Sequence, residues 1–270
     1  LTRASISRPI NIEFDTGENE KAYAFFYPPT NSHMQTEDGD KPPLIVGVHG
    51  GPTSAARAVL NLKVQFWTSR GFAFLDVNHR GSTGWGRQYR HRLYQGWGIV
   101  DIEDIENGVR QVIDEGFVAP DRIAIRGGSA GGYSVMACLA HSKLFSAGAS
   151  YYGISDLEML AQETHKFEAH YLDSLIGPLP EAKNRYIERS PINKIENISA
   201  PLLLLQGLED KVVPPSQAEL ICNKLQRQGT EVTYLTFSDE GHGFRQSKNQ
   251  IRALNAELDF YLKYLSLIHI

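Results

Sequence analysis

The chain has 270 residues, with 27 basic and 31 acidic side chains and a net charge of −4. Hydrophobic residues make up 41% of the sequence and charged residues 21%, which excludes a disordered chain, a collagen and a coiled coil. The charge balance predicts no nucleic-acid or membrane partner, and no apolar run is long enough for a transmembrane helix. Two cysteines cannot cross-link a chain of this length, so its stability must come from a buried core, and their scarcity predicts a cytoplasmic protein.

The first part of the chain alternates apolar and polar residues. Residues 11–14 and 22–27 have the period of half-buried strands, which predicts an antiparallel pair at the start of the fold. Residues 31–43, NSHMQTEDGDKPP, are polar and rich in turn formers, so they predict an exposed loop.

From residue 44 onward, short apolar runs alternate with helical patterns. Buried strands are predicted over residues 44–50, 72–78, 122–128, 147–153, 201–207 and 232–237. Helices are predicted near residues 54–70, 101–116, 130–142, 181–190, 215–229 and 247–265. This alternation indicates parallel strands with right-handed crossovers, and so a single α/β domain with a mostly parallel, doubly wound sheet over residues 1–270. Residues 155–190 interrupt the alternation and predict inserted helices over the site.

The strongest chemical signal is the segment RIAIRGGSAGGY at residues 122–133. Gly127, Ser129 and Gly131 fit the G-x-S-x-G pattern, between an apolar strand and a helical run. A serine on a sharp strand-to-helix turn needs small neighbours, and the start of the helix favours negative charge nearby. The pattern predicts that Ser129 is a nucleophile; a glycine-rich turn without a catalytic role is the alternative.

A serine nucleophile needs a base and an acid, and in this fold they follow it in the order Ser, Asp or Glu, His. Asp210 comes just after one predicted strand, and His242 stands between two glycines just after the next. Catalytic groups gather at the carboxyl ends of strands in open parallel sheets. The alternatives are a helix-capping acid at Asp210, with Glu209 beside it, and a surface histidine at His242.

Two backbone amides are candidates for binding the oxyanion. Ala130 directly follows the nucleophile, and Gly51 lies in the HGGP segment at residues 49–52, after an early strand. A plain turn of Gly and Pro is compatible with that role. No histidine–cysteine cluster has metal-ligand spacing, so neither a metal nor another cofactor is predicted.

Five motifs occur in one order along the chain: HGGPT at 49–53, NHRGSTGWGR at 78–87, GGSAGGY at 127–133, GLEDKVVPPSQA at 207–218 and EGHGF at 240–244. Together they resemble the catalytic domain of the prolyl oligopeptidase family of serine peptidases, most closely its acylaminoacyl peptidase branch. The resemblance runs from about residue 10 to residue 265. It implies an α/β-hydrolase fold, a triad of Ser129, Asp210 and His242, and oxyanion amides from Gly51 and Ala130.

Two positions depart from relatives in this family. Prolyl oligopeptidase and dipeptidyl peptidase relatives use a tyrosine hydroxyl in the oxyanion hole, whereas His49 occupies the matching position here, so two backbone amides are expected. Val212 stands where dipeptidyl peptidases that hold a free amino terminus carry an asparagine, which disfavours that specificity.

The resemblance also implies partners and an activity. Family members usually carry a β-propeller before the catalytic domain, so the chain is expected to be a fragment that lacks it, with residues 265–270 as a candidate tail. The predicted function is hydrolysis of peptide or N-acyl-aminoacyl bonds of short peptides through an acyl-enzyme. A carboxylesterase with the same triad and a folded but inactive α/β-hydrolase-like module are the alternatives, and a homo-oligomer is compatible with both.

Overall fold

The computed structural model describes residues 5–31, 39–163 and 171–265. Within these residues one eight-stranded sheet runs in the order β1-β2-β4-β3-β5-β6-β7-β8. Strand β1 pairs with β2, and β2 with β4, in antiparallel fashion, and every later pair is parallel. The strands are β1 (Ile10–Thr16), β2 (Glu20–Tyr27), β3 (Leu44–Val48), β4 (Ala73–Asn78), β5 (Ile123–Gly128), β6 (Ala147–Tyr151), β7 (Leu202–Gly207) and β8 (Val232–Phe237).

Helices cover both faces of this sheet. In the described ranges they are α1 (Leu62–Thr68), α2 (Gly86–His91), α3 (Val100–Asp114), α4 (Ala130–His141), α5 (Leu157–Glu163), α6 (Tyr171–Leu175), α7 (Lys183–Arg189), α8 (Pro215–Gln228) and α9 (Ser247–Tyr264). The predicted α/β architecture with antiparallel N-terminal strands is confirmed. Helices α5 to α7 lie in the segment predicted to carry insertions.

Two apolar cores lie on opposite faces of the sheet, because side chains alternate along each strand. On β3, Leu44 and Val46 pack with residues of α3, α4 and α8, such as Ile105. Ile45, between them, packs with α1 and α9 around Trp67. Every residue of β3 is buried, as expected for a central parallel strand covered on both faces.

The predicted helix near residues 54–70 is wrong in its first half. Helix α1 begins only after Asn61, whose side chain accepts a hydrogen bond from the Lys63 amide at 3.0 Å. Upstream, the side chain of Asn78 accepts a hydrogen bond from the Ala56 amide at 2.8 Å and donates one to the Ala56 carbonyl. This contact with the end of β4 holds the segment as a loop, and a tertiary hydrogen bond of this kind leaves no trace in the local pattern.

Other predictions concern residues at the edges of the described ranges. The candidate tail lies mostly beyond them, since residues 266–270 are not described, and so does the greater part of the predicted loop at 31–43.

Both cysteines, Cys138 and Cys222, are buried free thiols. Among the described helices, none combines the length and apolar character that a bilayer crossing requires.

A buried ion pair fastens the loop after β4 to helix α3. The Arg80 and Asp104 side chains are 2% and 0% exposed, and the guanidinium approaches the carboxylate at 2.8 Å. The same carboxylate accepts a hydrogen bond from the Arg80 amide at 2.6 Å and another from the Thr16 hydroxyl at 2.6 Å. Both oxygens of this carboxylate therefore have partners. Without it, buried Arg80 would keep only the partly exposed Glu103 carboxylate as an ionic partner.

We expect Asp104→Ala to lower the free energy of unfolding by about 3 kcal/mol, because buried Arg80 loses its fully buried partner and keeps only Glu103, which is 43% exposed. Urea denaturation monitored by circular dichroism measures this loss. The matched control is Asp15→Ala, which removes an exposed ion pair with Lys21 and should change stability by no more than about 0.5 kcal/mol. A loss below about 1 kcal/mol for Asp104→Ala would contradict the proposed role of the pair.

Candidate active site

Ser129 stands alone at the turn between β5 and α4. Its φ of 58° and ψ of −124° lie in a region that non-glycine residues rarely adopt. The turn is held on both sides, because the Ser129 amide donates to the Tyr151 carbonyl at 3.0 Å and the Ser129 carbonyl accepts from the Tyr133 amide at 3.0 Å. Strain of this kind costs on the order of 1–3 kcal/mol and persists only where neighbouring structure enforces it.

The glycines on either side of Ser129 allow backbone to pack on backbone. A Cβ atom added to Gly127 would lie 2.5 Å from the carbonyl carbon of Gly131. One added to Gly131 would collide with the carbonyl oxygen of Val48 at the end of β3. These contacts give the reason for the small residues in the G-x-S-x-G pattern.

Ser129, His242 and Asp210 lie in one hydrogen-bonded chain. His242 Nε2 is 2.9 Å from Ser129 Oγ, and His242 Nδ1 is 2.8 Å from Asp210 Oδ2. A carboxylate only accepts hydrogen bonds, so Nδ1 carries the proton and Nε2 is left as an acceptor for the serine hydroxyl. The three predicted residues come from loops after β5, β7 and β8, at the carboxyl edge of the sheet.

The Asp210 carboxylate is fixed by its own loop. It is 4% exposed, and its Oδ1 accepts hydrogen bonds from the amides of Val212 and Val213, each at 2.9 Å. Its Oδ2, which faces His242, lies 3.4 Å from Nε2 in the side chain of Gln206. Asp210 is therefore held by its loop through Oδ1, while its Oδ2 points to the imidazole of His242.

The loop that carries His242 depends on a buried acid that the sequence analysis missed. Glu240 is 3% exposed and accepts hydrogen bonds from the amides of Arg245 and Gln246 and from the Asn249 side chain, at 2.8 to 2.9 Å. Its carbonyl accepts from the Glu209 amide at 2.9 Å, which joins the histidine loop to the aspartate loop. The one local sign of this role in the sequence is the position of Glu240, two residues before His242.

Gly51 and Ala130 both line a small cavity that also contains Ser129. Gly51 has a φ of +119°, so its conformation favours glycine, and the bond to Pro52 is cis. The Tyr171 hydroxyl donates to the Gly51 carbonyl at 3.2 Å. No group among the described residues accepts a hydrogen bond from the Gly51 or Ala130 amide, so both donors remain available to a substrate oxygen.

The RGS segment at residues 80–82, after β4, supports the loop that carries Gly51 through a contact with His49. The His49 ring is bonded through Nδ1 to the Gly50 carbonyl at 2.8 Å and through Nε2 to the Ser82 hydroxyl at 2.7 Å. It stacks on His79 with ring centroids 4.7 Å apart. Burial, together with the neighbouring His79, lowers the pKa of His49 to about 3, and burial lowers the pKa of His79 to about 4. Both rings are therefore neutral near pH 7.

The cavity beside Ser129 has a volume of about 60 Å³ and mostly apolar walls. None of the described residues that line it carries a charge. Besides Ser129 and the two amide-bearing residues, they are Pro52, Trp97, Ile154, Leu160, Tyr171, Leu172, Val212 and Val213.

Tyr151 and Tyr152, at the carboxyl end of β6, do not line this cavity. The Tyr151 hydroxyl donates to the Glu257 carboxylate at 2.6 Å. The Tyr152 ring lies 4.8 Å from the His242 ring, and its backbone has a positive φ of 39°. Its contact with the imidazole was not foreseen. In the described part of the chain, no cluster of three or more His, Cys, Asp or Glu side chains is arranged to hold a metal ion.

Comparison with known proteins matches the prolyl oligopeptidase family over residues 58–267, which is most of the chain. The chain belongs to that family. Among curated relatives, dipeptidyl aminopeptidase BIII of Pseudoxanthomonas mexicana is 30% identical over 93% of this chain and 37% of its own length. The acylamino-acid-releasing enzyme of Arabidopsis thaliana is 30% identical over 78% of this chain and 29% of its own length.

Solved structures agree with this family assignment. The puromycin-hydrolyzing peptidase of Mycobacterium tuberculosis is 45% identical, with a TM-score of 0.97 over 98% of this chain and 40% of that one. The acylaminoacyl peptidase of Pyrococcus horikoshii is 28% identical, with a TM-score of 0.89 over 98% of this chain and 42% of that one. The predicted family and its acylaminoacyl peptidase branch are confirmed. The chain spans less than half the length of these relatives.

We expect the buried histidines to make the fold less stable in acid. Unfolded histidine binds a proton below about pH 6.5, whereas folded His79 stays neutral down to about pH 4, so lowering the pH favours the unfolded state. From pH 7 to pH 5 this histidine alone costs the wild type about 2 kcal/mol of unfolding free energy. The stability difference between wild type and His79→Gln should shift by that amount in urea titrations at the two pH values.

The stability difference between the two proteins cancels the contribution of the other titrating groups, because both proteins contain them. Asp76 and Asp101, whose pKa values burial raises to about 7, act in the opposite direction in both proteins. His91→Gln, at an exposed position, is the matched control. Parallel stability curves for wild type and His79→Gln would show that His79 is not buried in its neutral form.

Proposed function

We propose that the chain is a serine peptidase that cleaves peptide or N-acyl-aminoacyl bonds of short peptides through an acyl-enzyme. The observation that carries the proposal is the hydrogen-bonded chain from Ser129 through His242 to Asp210, beside the two available amides of Gly51 and Ala130. These are the parts that acyl transfer requires: a nucleophile, its base, an orienting acid and an oxyanion site.

In the first half of the reaction, Ser129 Oγ attacks the substrate carbonyl while His242 Nε2 takes the hydroxyl proton. Asp210 keeps the imidazole in the correct tautomer and stabilises the imidazolium that forms. The Gly51 and Ala130 amides donate to the oxyanion, and each such donor contributes about 3 kcal/mol to the transition state in enzymes of this type. His242 then gives its proton to the leaving nitrogen, which departs as an amine.

In the second half, water replaces the amine. His242 takes a proton from the water while the water oxygen attacks the acyl-enzyme carbonyl. The same two amides bind the second oxyanion. Collapse of this intermediate returns the proton to Ser129 Oγ and releases a carboxylic acid. The start of helix α4 at Ala130 favours the negative charge at this position in both halves.

The cavity beside Ser129 supports an apolar residue on the acyl side of the scissile bond. Its described walls are uncharged and include Trp97, Leu160 and Val213. A charged side chain there would lose its hydration without gaining a partner from those walls. The names of the relatives refer to puromycin hydrolysis, release of acylamino acids and dipeptidyl aminopeptidase activity, and are in keeping with the proposed hydrolysis of short peptides.

We expect a fluorophosphonate to label Ser129 and the Ser129→Ala variant to remain unlabelled, as checked by mass mapping of peptides. Asp210→Asn should lower kcat toward a short-peptide anilide by about 10⁴-fold, because the amide side chain favours the wrong tautomer of His242. Glu209→Gln is the matched control: its side chain is exposed and it stands next to the triad acid, so its kcat should stay close to that of wild type.

Two outcomes would count against this assignment. Failure to label a folded sample would mean that the hydroxyl is not activated. Rapid turnover of nitrophenyl esters without cleavage of any N-acyl amino-acid anilide or short peptide would show that the chain is a carboxylesterase instead.

We also expect substrates with Phe or Leu before the scissile bond to have kcat/KM values roughly tenfold or more above those with Glu or Lys. A set of peptides that differ only at this position, followed by chromatography of the products, measures the ratio. Equal rates for the apolar and charged members would show that this cavity does not receive the side chain.

A further inference from the structure

A second cavity lies on the other side of the nucleophile turn. Its volume is about 200 Å³, and Gly127 and Gly128, the two residues before Ser129, form part of its wall. It shares no lining residue with the apolar cavity. Its remaining wall comes from β3, β4, β5, β6 and the start of α1 and mixes apolar side chains such as Phe74 with the polar side chains of Lys63, Asp76, Arg126 and Tyr152.

One wall of the cavity is a row of three residues across the sheet. Gly47 of β3 is the register partner of Asp76 on β4 and of Arg126 on β5. Adjacent strands are about 4.8 Å apart, so the backbones of the acid and the arginine are roughly 10 Å from each other. The Phe74 ring and Asp76 cover Gly47, since a Cβ there would lie 2.7 Å from the ring and 3.2 Å from Asp76 Oδ1, and the cavity opens beside this row.

Two cations approach this space. The Arg126 guanidinium is fixed by the fully buried Glu257 carboxylate, with Nε to Oε1 at 2.7 Å and Nη2 to Oε2 at 3.0 Å. Lys63 is an exposed residue and forms no ion pair with any described residue; partial burial and the nearby Arg126 lower its pKa, against the opposing effect of Glu257. Glu257 balances the charge of Arg126, so Lys63 is the cation at this cavity that can pair with an anion.

Asp76 offsets only part of this positive charge. Its carboxyl group has no hydrogen-bond partner among the described residues, and burial raises its pKa to about 7, against the opposing effect of Arg126. Near pH 7 the neutral and the ionised acid therefore coexist. An anion bound in the cavity would favour that neutral form further, because it repels the ionised one.

The position of His242 shows which part of a substrate enters the cavity. His242 gives its proton to the leaving nitrogen, so the leaving group lies on the side of the imidazole. The Tyr152 ring lies 4.8 Å from the imidazole ring, and Tyr152 also lines the cavity. The acyl side belongs to the apolar cavity around Ala130, on the opposite side of Ser129.

We propose that this second cavity binds the terminal carboxylate of the leaving group, with Lys63 and Arg126 as its specificity-determining residues. The inference rests on the proposed peptidase function. It makes the preferred substrates short peptides that end one or two residues after the scissile bond. The carboxylate takes no part in bond making: the C–N bond breaks, His242 supplies the proton to nitrogen, and the product leaves as an amino acid or dipeptide.

The test compares two substrates that differ in one group, N-acetyl-Phe-Gly and its C-terminal amide. We expect wild type to favour the free acid roughly tenfold in kcat/KM, mainly through KM, since the carboxylate is bound equally before and during the reaction. Lys63→Met should reduce that ratio to about twofold, and Lys63→Arg should keep it near the wild-type value. Both replacement side chains are about as long as lysine, but only arginine keeps the positive charge.

Lys194→Met is the matched control. Lys194 is exposed and precedes β7, at the amino edge of the sheet, so this variant removes one charge from the opposite end of the molecule and should keep the wild-type ratio. A structural effect of Lys63→Met would slow both substrates equally and leave their ratio unchanged.

Equal kcat/KM values for the acid and the amide in wild type would overturn the proposal, and so would a ratio that Lys63→Met does not change. Cleavage of the two peptides, compared between wild type and Ser129→Ala, separates this failure from that of the proposed function. If Ser129 cleaves both peptides and the acid is not preferred, only the carboxylate site is wrong. If neither peptide is cleaved, with or without turnover of a nitrophenyl ester, the peptidase function itself is wrong.

Discussion

The close packing of backbone at the Ser129 turn is the constraint on which the rest of the site depends. Gly127, Gly131 and the carbonyl of Val48 approach each other so closely that only glycine fits at the two flanking positions. This packing fixes the angle at which β5 passes into α4, and with it the unfavourable φ of Ser129. The hydroxyl, the first amide of α4 and the end of β3 are thereby set in a fixed relation before any substrate arrives, as preorganised catalysis requires.

The other parts of the site reach the same edge by separate means. Parallel strands end together, so the loops after β3, β5, β7 and β8 meet without long connections. Each loop has its own internal fastening: Asp210 to the amides that follow it, Glu240 around the histidine loop, and His49 to Ser82 behind the oxyanion loop. Backbone hydrogen bonding between Glu209 and Glu240 then joins two of these loops, which limits how far the acid and the imidazole can move apart.

The two cavities beside Ser129 differ in chemistry because they lie on different faces of the sheet. The apolar one is closed by the inserted helices α5 and α6, whose Leu160 and Leu172 extend the third apolar cluster of the fold. The polar one lies on the α1 and α9 face, where the buried Glu257 holds Arg126 next to an apolar core. In the proposed reaction, a substrate that spans Ser129 would meet an uncharged wall on its acyl side and the Lys63 and Arg126 cations on its amine side.

The sequence by itself determined the α/β fold and the family, and it indicated Ser129, Asp210 and His242 as candidates that the fold brings into one hydrogen-bonded chain. Each of these depends on local order: a strand, a turn of small residues, a helix, and the sequence of the loops. It did not determine where α1 begins, because a hydrogen bond from Asn78, 22 residues from Ala56, outweighs the local helical pattern. Nor did it indicate Glu240, the contact of Tyr152 with His242, or the row of Asp76, Gly47 and Arg126. Those were decided by strand register and tertiary packing, since they join residues that are far apart in the chain and whose neighbours carry no common pattern.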